Sequence, residues 1–194
     1  MRDINGRVES YPLTDMRDIN GRVESNALIK IMRAVFLRWV MKERGFYIIN
    51  DQFYADFSDG NLKGNKDENR PHYYAVVDPA TGLPWMIPMS SRTEKYKSII
   101  KKRLDSGKPC DTLHICKLDN GKESAFLLQD MFPITEKYIL REYTLNGCHF
   151  VLTSDKNAEI VRKKAMRTLN MIKRGIKFTP TQADVLSIEK ELLK

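Results

Sequence analysis

The side chains best suited to chemistry in this sequence stand between Arg70 and Lys97. His72 lies in NRPHYYAVV, and Ser90 and Ser91 lie in MIPMSSRTEKYK, with Arg92, Thr93, Lys95 and Lys97 directly after them. An imidazole titrates near neutral pH and can carry a proton to or from a reacting oxygen. Hydroxyls at the mouth of a helix, backed by free amides and cations, suit a phosphate. On spacing alone a second reading stands beside this one: the serines cap a helix, the cations form its solvated face, and His72 is a half-exposed histidine at a strand end.

Positioning these groups requires a strand, a turn, a second strand and a helix. Tyr73 to Val77 is aromatic and β-branched, and Asp78-Pro-Ala-Thr-Gly82 supplies the turn residues that a tight connection needs. In an antiparallel pair the start of the first strand lies beside the end of the second, which brings His72 toward Ser90 and Ser91. Ser91 and Glu94 fit S-x-x-E, so Ser91 is expected to cap the helix. In TEKYKSIIKKRL, Tyr96, Ile99, Ile100 and Leu104 recur at the helical period and predict one apolar face.

With 33 Lys and Arg against 25 Asp and Glu, the 194-residue chain carries a net charge of +8, which favours a polyanionic partner, nucleic acid or an acidic membrane surface. The odd cysteines Cys110, Cys116 and Cys148 make no C-x-x-C pair and support neither a disulfide framework nor a zinc site, which fits a reducing cytoplasm. No cofactor is expected. The first thirty residues repeat, MRDINGRVESYPLTD and then MRDINGRVESNALIK. A polar fifteen-residue unit in two copies is too short for a solenoid. ALIKIMRAVFLRWVMK is too short and too charged to span a bilayer, although it fits an amphipathic membrane-surface helix. Residues 1–40 therefore read as an extension, Met41 as the candidate start, and 41–194 as one domain.

Residues 51–69 read as a polar loop. Its Phe53, Tyr54 and Phe57, with Lys63 and Lys66, could grip unpaired bases and their phosphates or pin the loop to the body. TLHICKL and SAFLLQDMFPI flank the turn DNGK and form a second hairpin. EKYILREY predicts a short helix and CHFVLT a strand; His114 and His149 read as structural. Asp155 to Gly175 predicts a long helix capped by Ser154 or Asp155, with Val161, Ala165, Leu169 and Ile172 inward. Its other faces carry Arg162, Lys163, Lys164, Arg167, Lys173 and Arg174, a solvated surface or one that tracks phosphates. Thr179-Pro-Thr-Gln begins a last amphipathic helix.

GFYIIN, NRPHYYAVV, MIPMSSRTEKYK, LHICKLDN and QDMFPIT together resemble the ToxN/AbiQ family of type III toxin-antitoxin endoribonucleases, and within it the CptN-like branch. The resemblance covers most of the chain from Met41 on. It implies an α+β fold, a compact and highly curved antiparallel sheet of the MazF/PemK type with an SH3-like barrel core and flanking helices, the long basic C-terminal helix among them. It implies metal-independent, sequence-selective cleavage of messenger RNA by 2′-oxygen attack, leaving a cyclic phosphate and a 5′-hydroxyl, in phage defence by abortive infection. It also implies a small structured antitoxin RNA, processed from tandem repeats, as inhibitor and partner; the repeated N-terminus would follow from translating such repeats.

Carried over by residue, the family's hydroxyl pair falls on Ser90 and Ser91, and the lysine after its Asn-Pro falls on His72 behind Arg70-Pro71. His72, Ser90, Ser91 and Lys95 are then the catalytic candidates. Arg70, Arg92, Thr93, Phe53, Tyr54, Lys97, Lys163 and Arg167 are the candidates for binding RNA. The family lysine after the hydroxyl pair is displaced here, leaving Arg92 and Lys95 as rivals, and Phe53 and Tyr54 both fit its N-terminal tyrosine. A non-catalytic basic RNA-binding module is the alternative.

Overall fold

The computed structural model describes residues 41–58, 60–62, 64 and 69–194. The expectations for residues 1–40, and for Lys63 and Lys66, lie outside the described residues. The chain folds as α+β, with nine strands and four helices among the described residues: β1 (Phe46–Ile49), α1 (Asp51–Asp56), β2 (Pro71–Val77), β3 (Pro84–Ser90), α2 (Thr93–Asp105), β4 (His114–Lys117), β5 (Glu123–Phe126), β6 (Phe132–Pro133), β7 (Ile139–Glu142), β8 (Thr144–Leu145), β9 (Cys148–His149), α3 (Asp155–Lys173) and α4 (Val185–Leu192).

The main sheet is antiparallel and runs β4, β5, β3, β2, β1, β7, with β6 added beside β3. The two ends of that path do not pair with each other, so the expected barrel is open. At its centre stands the β2–β3 hairpin, closed by Gly82 at φ +73°, where a side chain would be strained. Its register sets His72 opposite Pro88, Tyr73 opposite Ile87 and Tyr74 opposite Met86.

Alternation along the strands sorts the core into two layers. On one face, the ring of Phe46 meets Tyr73, Phe126 and Phe150 at centroid distances of 5.2, 6.3 and 5.0 Å. On the other, Phe53 of α1 stacks on Phe132 at 5.0 Å and meets Tyr138 edge-on at 5.3 Å. The helix α3 buries Ala158, Val161, Ala165, Leu169 and Ile172, is capped by the Ser154 hydroxyl, and is followed by Gly175 at φ +80°.

Four local expectations are corrected. Residues 51–56 are helical because the Asn50 side chain accepts the Gln52 N–H at 2.8 Å and caps the turn. EKYILREY gives a single 3₁₀ turn over Glu136–Tyr138 and then β7, since the open edge of β1 takes Ile139 to Glu142 as a strand. The last helix starts at Val185 under an Asp184 cap, later than Thr179. Leu104 is 58% exposed, away from the face that buries Tyr96.

Candidate active site

One end of the β2–β3 hairpin gathers most of the strand-borne candidates. Residues paired or two apart on neighbouring strands share a face, so His72, Pro88 and Ser90 line one side of the sheet, with Ser90 diagonal to His72 at roughly 7–8 Å between backbones. Arg70 enters just before β2, and its Nε donates to the carbonyl of Met89 at 3.1 Å. That bond holds the guanidinium across the end of β3, beside the serines.

Arg70 is only 9% exposed, and no carboxylate lies within ion-pair distance of it among the described residues. A charge taken out of water is ordinarily compensated by a partner of opposite sign. Among the described residues only Nε is engaged, which leaves both terminal amino groups there as donors on a planar cation.

His72 is fully buried, and its Nε2 lies 3.2 Å from the hydroxyl of Tyr54 on α1. Burial, helped by the charge of Arg70, pushes its pKa down to about 3; the Arg70 carbonyl pulls weakly the other way. That carbonyl is not placed for a well-formed hydrogen bond, and Nδ1 is left without one. The imidazole is therefore neutral across the physiological range. Its ring also stands edge-on to Phe132, 5.6 Å between centroids. The expectation of a histidine in direct contact with a bound phosphate does not fit this burial; Tyr54, half-buried, stands at the Nε2 side of the ring. Burial raises the phenol pKa of Tyr54, while Arg70 lowers it.

The serines do not cap α2 as the S-x-x-E spacing predicted. Strand β3 continues through Ser90, and the helix begins at Thr93 under Arg92, which makes no side-chain cap. Glu94 then falls in the second helical position and takes Lys97 instead, at 2.8 Å. The Ser90 hydroxyl oxygen accepts the Arg92 N–H at 3.3 Å, which leaves its proton to donate elsewhere. Ser91 is exposed, and its hydroxyl has no partner among the described residues.

The other candidates divide. Arg92 and Lys95 are exposed without a carboxylate partner among the described residues, and Lys95 lies 5.8 Å from the ring of Tyr96; Thr93 is half-buried in the first turn. Lys97 bridges Glu94 and Glu123, at 2.8 and 2.6 Å, and the hydrogen bond it donates to Glu123, then the one to Glu94, raises its pKa to about 12. Phe53 has no exposed surface and cannot stack on a base, because it fills the core beneath α1. On α3, Lys163 is 3.5 Å from Glu159 and Arg167 is 3.4 Å from Asp111. His114 and His149 are structural, His149 lying 3.1 Å from the Phe46 carbonyl.

Sequence reasoning missed the state of Arg70. Nothing in Arg-Pro-His distinguishes a guanidinium that folds inward, without a counterion among the described residues, from one that points to solvent.

The fold and this strand end define a class first: an α+β protein whose open antiparallel sheet presents hydroxyls and a nearly buried cation that no acid among the described residues compensates. The chain is similar in structure to AbiQ, a lactococcal anti-phage endoribonuclease belonging to the type III toxin-antitoxin system, with a TM-score of 0.58 and 12% identity over 76% of this chain and 94% of that one. It is also similar to a protein of a bacterial antiviral system regulated by a processed non-coding RNA, with a TM-score of 0.52 and 14% identity over 76% and 95%. At these identities the likeness is one of fold. No family model matches the sequence, and no curated protein matches it.

Proposed function

We propose that the chain is an RNA-cutting toxin of the type III kind, a metal-independent, sequence-selective endoribonuclease that acts on messenger RNA and is held in check by a small folded RNA. The observation that carries this reading is the nearly buried guanidinium of Arg70, without a carboxylate among the described residues, beside two serine hydroxyls that among those residues are free to donate. The shared fold with AbiQ supports it.

In the proposed reaction the ribose 2′-oxygen attacks the adjacent phosphorus while the bond to the 5′-oxygen breaks. The 2′-hydroxyl loses its proton and the 5′-oxygen gains one, so no co-reactant is consumed. Negative charge grows on the non-bridging oxygens, where Ser90, Ser91 and the terminal nitrogens of Arg70 donate. Preorganised donors of this kind contribute about 3–4 kcal/mol each to the barrier reduction. Arg92 and Lys95 add charge from the solvent side. Tyr54 is the group placed to exchange a proton with the RNA, and His72 acts through it by fixing the phenol, a positioning role suited to a neutral buried imidazole.

The test is incubation of the purified full-length protein with RNA in excess chelator, followed by end-group analysis. Fragments with a cyclic phosphate and a 5′-hydroxyl are expected, with a loss of about 10²–10³-fold in rate for Ser90→Ala alone and a larger one for Ser90→Ala with Ser91→Ala. RNA that stays intact while salt-dependent binding persists would overturn the enzyme and leave a binding module.

A further inference from the structure

The two long helices are both basic, but their cations are in different states. On α3, Arg162 and Lys163 are paired with Glu159, Arg167 with Asp111, and Lys173 with Asp78 and Glu189, while Lys164 donates to the carbonyls of Cys110 and Leu113 at 2.6 and 2.8 Å. On α2, Lys97 alone is ion-paired among the described residues; Lys95, Lys101 and Lys102 are exposed and without an ion pair among those residues, a state that on α3 belongs to Lys156 in the first turn.

Lys95 and Lys102 are seven residues apart, two turns, and so lie on one line about 10 Å long, while Lys101 stands about 100° round the helix from Lys102, at the other edge of the exposed side. The line starts next to Ser90, Ser91 and Arg92 and leads away from them along the helix. The apolar side of α2 is already covered: Tyr96, Ile99 and Ile100 pack with Leu113, Ala125 and Leu127. An interfacial membrane helix needs that side free to enter lipid, so the exposed surface of α2 offers mainly charge, with Leu104 as an exposed apolar side chain at its end.

We infer that the α2 stripe of Lys95, Lys101 and Lys102 is the track for the phosphates of a single RNA strand leaving the cleavage site, and that α3 is not. This rests on the proposed function for the identity of the polyanion. A strand whose phosphate is held at the serine pair must leave along some surface, and among the described elements α2 is the one that begins there with unpaired cations. Each lysine neutralises a phosphate and releases a counterion, so the track is read as salt dependence.

The experiment uses the full chain and a labelled single-stranded RNA of about twenty nucleotides, 2′-O-methylated throughout so that it cannot be cut. Lys101→Glu with Lys102→Glu is compared with Lys163→Glu with Arg167→Glu, each checked for an unchanged melting temperature. The α2 pair is expected to weaken binding at least tenfold and to reduce the slope of log affinity against log salt by about 1.4, at roughly 0.7 per contact for a single strand. The α3 pair is expected to change neither. Unchanged affinity in the α2 pair, or an equal loss in the α3 pair, would overturn the assignment. So would wild-type binding to vesicles of anionic lipid that is tighter than to RNA and released by the α2 pair. Cleavage of unmodified RNA is measured separately: its absence in the wild type defeats the endoribonuclease, whereas its presence with a neutral α2 pair defeats only the track.

Discussion

The two ends of the β2–β3 hairpin each hold a cation shielded from water, and they treat it in opposite ways. At the turn, Lys173 reaches in from α3 and is clasped by Asp78, at 2.7 Å, and by Glu189 of α4. Burial pushes the Asp78 carboxyl up, but the hydrogen bonds from Lys173, Ala80 and Thr81 outweigh it and hold it below the usual range. At the other end Arg70 is given a backbone carbonyl and, among the described residues, no acid. The closed end contributes to stability by joining three elements. The open end carries a desolvated charge that no acid among the described residues compensates, and that is where a phosphate would be most strongly stabilised.

Breaking the closed end should have the largest effect on stability. Lys173→Met leaves two largely buried carboxylates without their cation, so denaturant unfolding should show a loss of about 3–5 kcal/mol. Cleavage per folded molecule should be unchanged; a comparable loss of rate would erase the contrast. At the open end Tyr54→Phe removes the hydroxyl that meets His72. The cleavage rate should fall about 100-fold while RNA affinity holds, and a wild-type rate would remove Tyr54 from proton transfer.

A smaller effect sharpens the role of His72. Its pKa is about 3 in the folded chain against 6.5 ordinarily, so the unfolded chain binds a proton that the folded one refuses between those values. The stability it contributes is fully present above about pH 6.5 and is lost as pH falls, by up to about 1.4 kcal/mol per pH unit. Unfolding at pH 7 and pH 5 should therefore diverge less in His72→Gln than in the wild type. The rate profile of the wild type should show no imidazole inflection near pH 6.5; such an inflection would restore His72 as a proton carrier.

Much of the scaffold was legible because its signals are local. Asp78 to Gly82 dictated the hairpin turn, Asp119-Asn-Gly the β4–β5 turn, and Ser154 with Gly175 both ends of α3. Where neighbours decide, the pattern misled. EKYILREY has helix-forming residues, yet the unpaired edge of β1 made Ile139 to Glu142 a strand, tertiary pairing overriding propensity. Ser91 and Glu94 have capping-box spacing, but β3 runs on to Ser90 and the helix starts too late to use it.

The site was half legible for the same reason. Residue types placed the serine pair and His72 on adjacent strand ends, and alternation put His72 and Ser90 on one face. Burial is a property of the assembled layers, so neither the neutral imidazole under Phe132 nor the inward Arg70 could be read from the chain. The same holds for Lys163 and Arg167, whose acids stand elsewhere in the sequence or a helical turn away.

The decisive measurement is the single-turnover cleavage rate of Arg70→Met beside its unfolding free energy. Replacing a desolvated cation by an apolar side chain of similar length should cost at least 100-fold in rate and leave stability unchanged or improved. Wild-type cleavage by that variant, or a loss of rate explained wholly by unfolding, would contradict the claim that its charge receives the RNA phosphate.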